Sequence, residues 1–261
     1  MLLDGRVAIV TGAGRGIGRA IARKFAAEGA AVALAARTAT EVDAVATEIT
    51  NAGGKAVSIA ADVSQASDCE RIVKAARERL GAIHILVNNA GIYGSVKPVE
   101  QVTLAEWDEV MAVNLRSAFV LSALVLPQMY AQKSGVILNV ISVAAKAAYP
   151  WGSAYTASKA GLAGLTRTLA AEGARKGVRV NAISPGPVLE TKMSAGLRRE
   201  LAARYRKGDG EEIGEQMAQG TLQGRPQTAD EIASAALFLA SDLASAITGQ
   251  TVNADGGIVF Y

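Results

Sequence analysis

TGAGRGIG, residues 11–18, follows directly on the apolar run VAIV at 7–10. An apolar run that breaks into glycines and then places Ile17, Ile21 and Phe25 on one helical face reads as strand, tight turn and helix. The spacing is not G-x-G-x-x-G: counted from Gly12, Gly14 or Gly16, the last required glycine falls on Ile17, Arg19 or Ile21. Glycines at 12, 16 and 18 still permit positive φ, close backbone approach to a ligand, and tight helix–strand packing. The helix start then offers unpaired N–H groups and a positive dipole end, an anion site for which a pyrophosphate is the natural occupant.

The same alternation continues down the chain. Segments 6–10, 31–35, 56–61, 83–87, 135–142 and 178–184 read as short strands separated by stretches with helical spacing. Parallel neighbours need crossovers and the crossover is usually a helix, so the pattern predicts an α/β fold with helices on both faces of a mostly parallel sheet. With 261 residues, half of them hydrophobic, and no linker, one domain over 1–261 is expected. One region breaks the rhythm: residues 192–224 are charged and Gly-punctuated, the character of a substrate-binding lid or of a solvated helix pair.

Composition narrows the function classes. The apolar stretch Ala118–Leu126 is broken by Ser122 and ends at Pro127, short of a bilayer span, so no membrane segment is expected. Asp4 and Arg6 precede an apolar run too short for a signal peptide, and the lone Cys69 closes no internal disulfide; both fit a cytoplasmic location. A net charge of +3 mixed along the helices gives a nucleic-acid partner little support. One histidine, one cysteine and no clustered carboxylates make no metal set. His84, alone, reads as a residue capping the start of a strand.

Further short motifs follow in order: Asp62 ending the third strand, NNAG at 88–91, Asn114, Ser142, YTASK at 155–159, and PG at 185–186. With TGAGRGIG these resemble the short-chain dehydrogenase/reductase family over nearly the whole chain, from Gly5 to the DGG at 255–257. The resemblance implies a doubly wound, mostly parallel Rossmann-type sheet of about seven strands. It also implies a nicotinamide cofactor lying along Gly12, Arg15, Gly16, Ile17 and Gly18, with Asp62 and Val63 beside the adenine. Asn88, Ala90 and Gly91 would pack along it, Asn89 instead tying strand ends together, and Pro185, Gly186 and Val188 would lie by the nicotinamide. Thr191 stands six positions after Pro185 where the family often has a threonine at five, which puts its contact with the carboxamide in question.

The end of the second strand decides between the two nicotinamide cofactors, because an acid there would bind the ribose 2′-hydroxyl. The strand AVALA instead runs into Ala36 and Arg37, with no acid before Glu41. Arg37 and Arg15 could pair with a 2′-phosphate, so NADP(H) is favoured, with NAD(H) left open.

Tyr155 and Lys159 are four apart in a segment of helical composition, on one face. A phenol of pKa about 10 is a poor proton shuttle near neutrality. An ammonium about 4 Å away is worth about 4 kcal/mol to the phenolate, a lowering of as much as ~3 units before desolvation opposes it. Ser142 ends the apolar strand GVILNVIS, 13 positions before Tyr155, and its hydroxyl would hold the substrate oxygen. A serine nucleophile is the competing idea, but there is no G-x-S-x-G elbow and His84 belongs to another strand. By resemblance Asn114 helps to hold Lys159 through an ordered water and a backbone carbonyl; a mid-helix asparagine could instead bond its own helix. Ile141, where many relatives have serine, is expected on the outward side of the strand.

Tyr93, Ala144, Tyr149, Trp151, Pro187 and Met193 are the candidate walls of a mainly apolar substrate pocket. They suggest a small-molecule ketone or secondary alcohol. Arg198 and Arg199 keep open a 3-oxoacyl thioester on an anionic carrier. A nucleotide-sensing scaffold is the non-enzyme alternative, against which the intact Asn114, Ser142, Tyr155 and Lys159 argue. Small residues on the helices around 104–131 and 154–174 suggest self-association, a tetramer by resemblance. The TADE at 228–231 reads as a capping box with Ile232, Ala236 and Leu239 inward.

Overall fold

A computed structural model of the chain describes residues 1–205 and 209–261. Seven strands form one parallel sheet: β1 (Val7–Thr11), β2 (Ala31–Ala36), β3 (Lys55–Ala60), β4 (Ile85–Asn88), β5 (Gly135–Val140), β6 (Val178–Pro185) and β7 (Thr251–Ala254). Their order is β3-β2-β1-β4-β5-β6-β7, so the chain reverses direction across the sheet between β1 and β4. β1, β4 and β5 are buried at every residue, as strands covered on both faces must be. β7, which the apolar pattern does not reveal, is a four-residue edge strand with no fully buried position.

The helices sort onto the two faces by their apolar stripes. α1 (Gly16–Ala27), α2 (Ala39–Asn51) and α9 (Ala229–Ala240) pack on one face through Ile21, Phe25, Val42, Val45, Ile232 and Leu239. On the other face lie α3 (Ala66–Leu80), α5 (Ser117–Gln132) and α6 (Ser153–Gly173), through Ile72, Leu121, Met129 and Leu169. The predicted capping box opens α9, with Thr228 Oγ1 accepting from the Glu231 N–H while the Glu231 carboxylate takes the Thr228 N–H.

α4 (Leu104–Met111) runs through one π-helical turn, Ala112–Arg116, into α5 as one continuous helix. Pro127 does not end it. At 29 residues Leu104–Gln132 is long and apolar enough to cross a bilayer, so the break expected at Ser122 and Pro127 does not occur. More than half of its most apolar window is buried within the fold. Residues 192–224 form α7 (Lys192–Tyr205) and α8 (Gly210–Gln219), followed by the approach to α9; Arg206, Lys207 and Gly208 of this segment lie outside the described residues.

Candidate active site

The carboxyl ends of the strands open on one cavity of about 720 Å³ that reaches from the glycine loop to α7 and α8. Gly12 takes φ 64°, turning the chain out of β1. A Cβ at Gly18 would stand 2.3 Å from the Gly12 carbonyl oxygen, so only glycine lets α1 begin this close to the strand. No side chain caps α1 and no acid occupies its first turn, which leaves its N–H groups and positive end to the cavity. Glycine loop and uncapped helix start together fit the pyrophosphate of a dinucleotide.

β4 holds the loop from below. Thr11 Oγ1 donates to the Val87 carbonyl (3.2 Å) and accepts from the Asn89 and Ala90 N–H groups, each at 3.0 Å. Asn89 Nδ2 donates to the carbonyls of Thr11 (2.8 Å) and Gly12 (3.4 Å), and Asn89 lines the cavity with Ala90 and Gly91. Asn88, expected along the cofactor, is not part of the lining: its side chain is buried and donates to Asn139 Oδ1 at 2.9 Å on the neighbouring strand. Strand alternation turns the two asparagines to opposite sides, and the first falls inward.

At the far end of the loop, Arg37, Thr38, Glu41, Asp62 and Val63 line the cavity. Asp62 Oδ1 accepts from the Ser64 N–H (3.0 Å), and its own N–H donates to Asp68 (2.7 Å), so both ends of that turn are fixed. The two arginines expected at a 2′-phosphate differ. Arg37 is exposed and has no ion-pair partner among the described residues. Arg15 already meets Glu41 at 2.9 Å, and Glu41 also binds Lys192 at 3.0 Å. The hydrogen bond from Lys192, joined by that from Arg15, holds the Glu41 carboxyl below its ordinary range against the desolvation that would raise it.

The reactive end centres on α6. Tyr155 and Lys159 share its inner face, and Ser142, just past the end of β5, lines the same cavity. Ser142 Oγ is itself fixed by the Ala144 N–H at 3.2 Å. Lys159, only 3% exposed, donates from Nζ to the Val140 carbonyl (2.8 Å), and Nζ lies 5.7 Å from the Tyr155 ring centroid. On its other side the phenol ring stacks with Tyr93, centroids 4.7 Å apart. Asn114 stands in the π-helical turn and bonds neither Lys159 nor its own helix. Its Oδ1 accepts from the Ile92 N–H (2.8 Å), and its Nδ2 donates to the Ile92 carbonyl (2.9 Å) and Ser158 Oγ (3.0 Å). A Cβ at Gly91 would come within 3.4 Å of both Asn114 Oδ1 and Lys159 Nζ, so the NNAG turn, Asn114 and Lys159 close on one point.

Burial rules the titration here. It raises the Tyr155 phenol, with the Ser142 hydrogen bond working the other way, and pushes the Lys159 ammonium down to about 8. The expectation that Lys159 draws the phenol down does not hold in this state. Its ammonium is turned to the Val140 carbonyl, and desolvation is the larger effect on both groups.

Tyr93, Ala144, Tyr149, Pro187 and Met193 line the cavity, together with Val143, Leu197, Gln216, Met217 and Ile258. Trp151 does not line it: at φ 64° its ring turns away and lies under the Arg204 guanidinium of α7, 5.2 Å from the centroid. Ile141 is 2% exposed, packed with Ala118, Leu162 and Ala182, not outward. Thr191 lines the cavity beside Pro185, Gly186 and Val188, but its hydroxyl donates to the Val188 carbonyl (3.1 Å) and accepts from the Ser194 N–H (3.2 Å). Arg198 pins α7 to its surroundings through the carbonyls of Gly210 (3.0 Å) and Leu189 (3.1 Å). His84 Nδ1 accepts from the Val7 N–H at 3.1 Å, a tie between strand starts, and the buried Cys69 thiol, pushed up to about 11 by burial, lies on α3 outside the cavity. Thr11 and Glu41 are the residues the sequence reading passed over: the first is an ordinary strand residue by pattern, the second a helix-start acid far from the loop it meets.

The short chain dehydrogenase family model matches residues 6–202. The chain is 38% identical to a 3-oxoacyl-[acyl-carrier-protein] reductase of Synechocystis over 99% of each protein. To a D-threitol dehydrogenase of Mycolicibacterium smegmatis it is 39% identical, over 98% of this chain and 93% of that one. Its fold superposes with a TM-score of 0.89 on a Beutenbergia cavernae protein assigned as an NAD(P)-dependent gluconate 5-dehydrogenase with NADP bound at low occupancy. That protein is 39% identical, with 98% of this chain and 97% of that one covered.

Proposed function

We propose, for a chain that belongs to the short chain dehydrogenase family and is an NAD(P)-dependent oxidoreductase acting on CH–OH or C=O groups, the reduction of an uncharged ketone by NADP(H), and its reverse, with Tyr155 as general acid/base. The observation that carries this reading is the convergence of Ser142, Tyr155 and Lys159 on one cavity, at the end where Tyr93 stacks on the phenol ring. A nicotinamide cofactor held along the glycine loop would supply or accept the hydride. Ser142 holds the substrate oxygen beside the phenol, and Tyr155 gives that oxygen its proton. Burial keeps the phenol protonated near neutrality, the state that reduction requires. Lys159, at about 8 a stronger acid than the raised phenol, can return the proton to Tyr155 after transfer. Asn114 acts by holding Ile92, and with it Gly91 and Tyr93, in place.

On the cofactor side the glycine loop and α1 would hold the pyrophosphate, and Asp62, Val63, Ala90 and Gly91 would flank the nucleoside. Arg37, at the mouth and unpaired among the described residues, would take a 2′-phosphate together with Arg15. Among the described residues the cations lining the cavity are Arg15, Arg37, Lys159 and Lys192, and Tyr93, Tyr149, Met193, Leu197 and Met217 give it a largely apolar wall. That favours a substrate without carboxylate or phosphate, with α7 and α8 as its lid. A 3-oxoacyl thioester is the second reading, supported by the Synechocystis relative. Against it, Arg198 is spent on backbone carbonyls and Arg199 donates to Ala195 of its own helix.

The deciding experiment titrates the protein with NADPH and NADH by nicotinamide fluorescence, wild type against Arg37→Asp. Tighter NADPH binding that Arg37→Asp abolishes supports the reading; a wild-type preference for NADH overturns the cofactor choice.

A further inference from the structure

Glu41 joins three segments that are remote in the sequence. Its carboxylate accepts from Arg15 Nη1 in the glycine loop at 2.9 and 3.3 Å and from Lys192 Nζ, the first residue of α7, at 3.0 Å. The backbone follows the charges: a Cβ at Gly14 would stand 2.9 Å from Glu41 Cβ, and one at Gly16 would stand 3.2 Å from the Thr191 methyl. The glycine loop is therefore fastened both to the start of α2 and to the start of α7, at the rim of the cavity where Arg37 and Thr38 also stand.

We infer that Glu41 is a specificity-determining strap that couples the 2′-substituent of the adenosine ribose to helix α7. This rests on the reading that the adenosine end lies along Ala36–Glu41, and it goes beyond the choice of cofactor. A single exposed ion pair is worth little, but one carboxylate shared by two cations decides which cation is open to an incoming anion. A 2′-phosphate suits the planar guanidinium of Arg15 and repels the carboxylate already there. Binding it at Arg15 displaces Glu41 and unfastens Lys192. A 2′-hydroxyl carries no charge and can donate to Glu41, which leaves the strap closed. Met193 and Leu197, which wall the substrate end, ride on α7, so the state of the ribose is felt where the substrate binds.

Adenosine 2′,5′-bisphosphate and 5′-AMP, which differ by that one phosphate, are the probes, with binding followed by calorimetry. Glu41→Gln should tighten the bisphosphate about tenfold, in the range of site-to-site coupling, and move 5′-AMP by less than about twofold. Amide exchange over residues 192–205 should quicken in wild type with the bisphosphate bound and in Lys192→Gln without ligand, and stay slow with 5′-AMP. Equal shifts for both probes in Glu41→Gln, or the same exchange of α7 with either probe, would overturn the strap. A wild-type preference for NADH combined with a Glu41→Gln gain for the bisphosphate would discard the NADP(H) reading and keep the strap.

Discussion

The rings of Tyr93 and Tyr155 lie stacked, centroids 4.7 Å apart and planes inclined by 28°. Tyr155 is held by this aromatic face, while Asn114 fixes the backbone of Ile92 just before Tyr93. An aromatic pair of this kind is worth about 1 kcal/mol beyond its buried area.

Tyr93→Ala should therefore lower kcat about fivefold, the rate equivalent of about 1 kcal/mol. NADPH affinity should stay unchanged, and Tyr93→Phe, which keeps the stack, should stay near wild type. Steady-state kinetics with a simple cyclic ketone reads both. A Tyr93→Ala enzyme with wild-type kcat would show that the stack does not position the phenol.

Tyr155→Phe removes the proton and leaves the ring in its stack. General acid catalysis is worth about 10²- to 10⁴-fold, and kcat should fall by that much. Fluorescence titration should show the cofactor still bound. Turnover surviving the change would assign the proton to another group.

The buried Lys159 gives a pH dependence with a definite sign. Folding moves its pKa from 10.5 to about 8, so between these values the unfolded chain binds more protons than the folded one. Stability is then lost as pH falls through about 8 and regained as it rises toward 10.5. At neutral pH the cost is of order 3 kcal/mol, from about 1.4 kcal/mol per unit. Lys159→Met should be inactive yet more stable than wild type at pH near 7, and the gap in denaturant midpoint should close on going to pH about 10. A gap that does not change with pH would mean that folding leaves the pKa of this lysine where it stands in the unfolded chain.

Asn114→Ala leaves the N–H and carbonyl of Ile92 and the Ser158 hydroxyl without their side-chain partner. Urea unfolding should show a loss of about 2 kcal/mol, the cost of stranding partly buried polar groups. Asn114→Asp, which can keep the acceptor but not the donor, should fall between the two. A wild-type midpoint in Asn114→Ala would assign the asparagine no positioning role.

Much of this layout is written in local pattern. Six of the seven strands are short segments rich in apolar or β-branched residues, and the helix stripes that bury Ile21, Phe25, Ile232 and Leu239 follow the helical repeat. β7 escapes because four residues at a sheet edge carry no such run. Within the site, Ser142, Tyr155 and Lys159 come together because strand end and helix face fix them, and spacing reports both. What spacing cannot report is direction and competition. Asn88 and Asn89 are neighbours with opposite outlooks, Trp151 turns away through a positive φ, and Arg15 is claimed by an acid 26 residues on. The balance of burial against charge at Tyr155 depends on where the Lys159 ammonium is aimed, which only the carbonyl of Val140 decides.

The close approach of Gly18 to the Gly12 carbonyl, 2.3 Å from where a Cβ would stand, also sets the terms on which this enzyme can be re-engineered. A combinatorial library meant to exchange its cofactor gains nothing by randomising the loop as a block, because variants at 12 or 18 drop out as misfolded before any preference is read. Diversity belongs at positions 15, 37 and 41, whose side chains stand on the rim and whose exchange leaves the backbone cradle as it is.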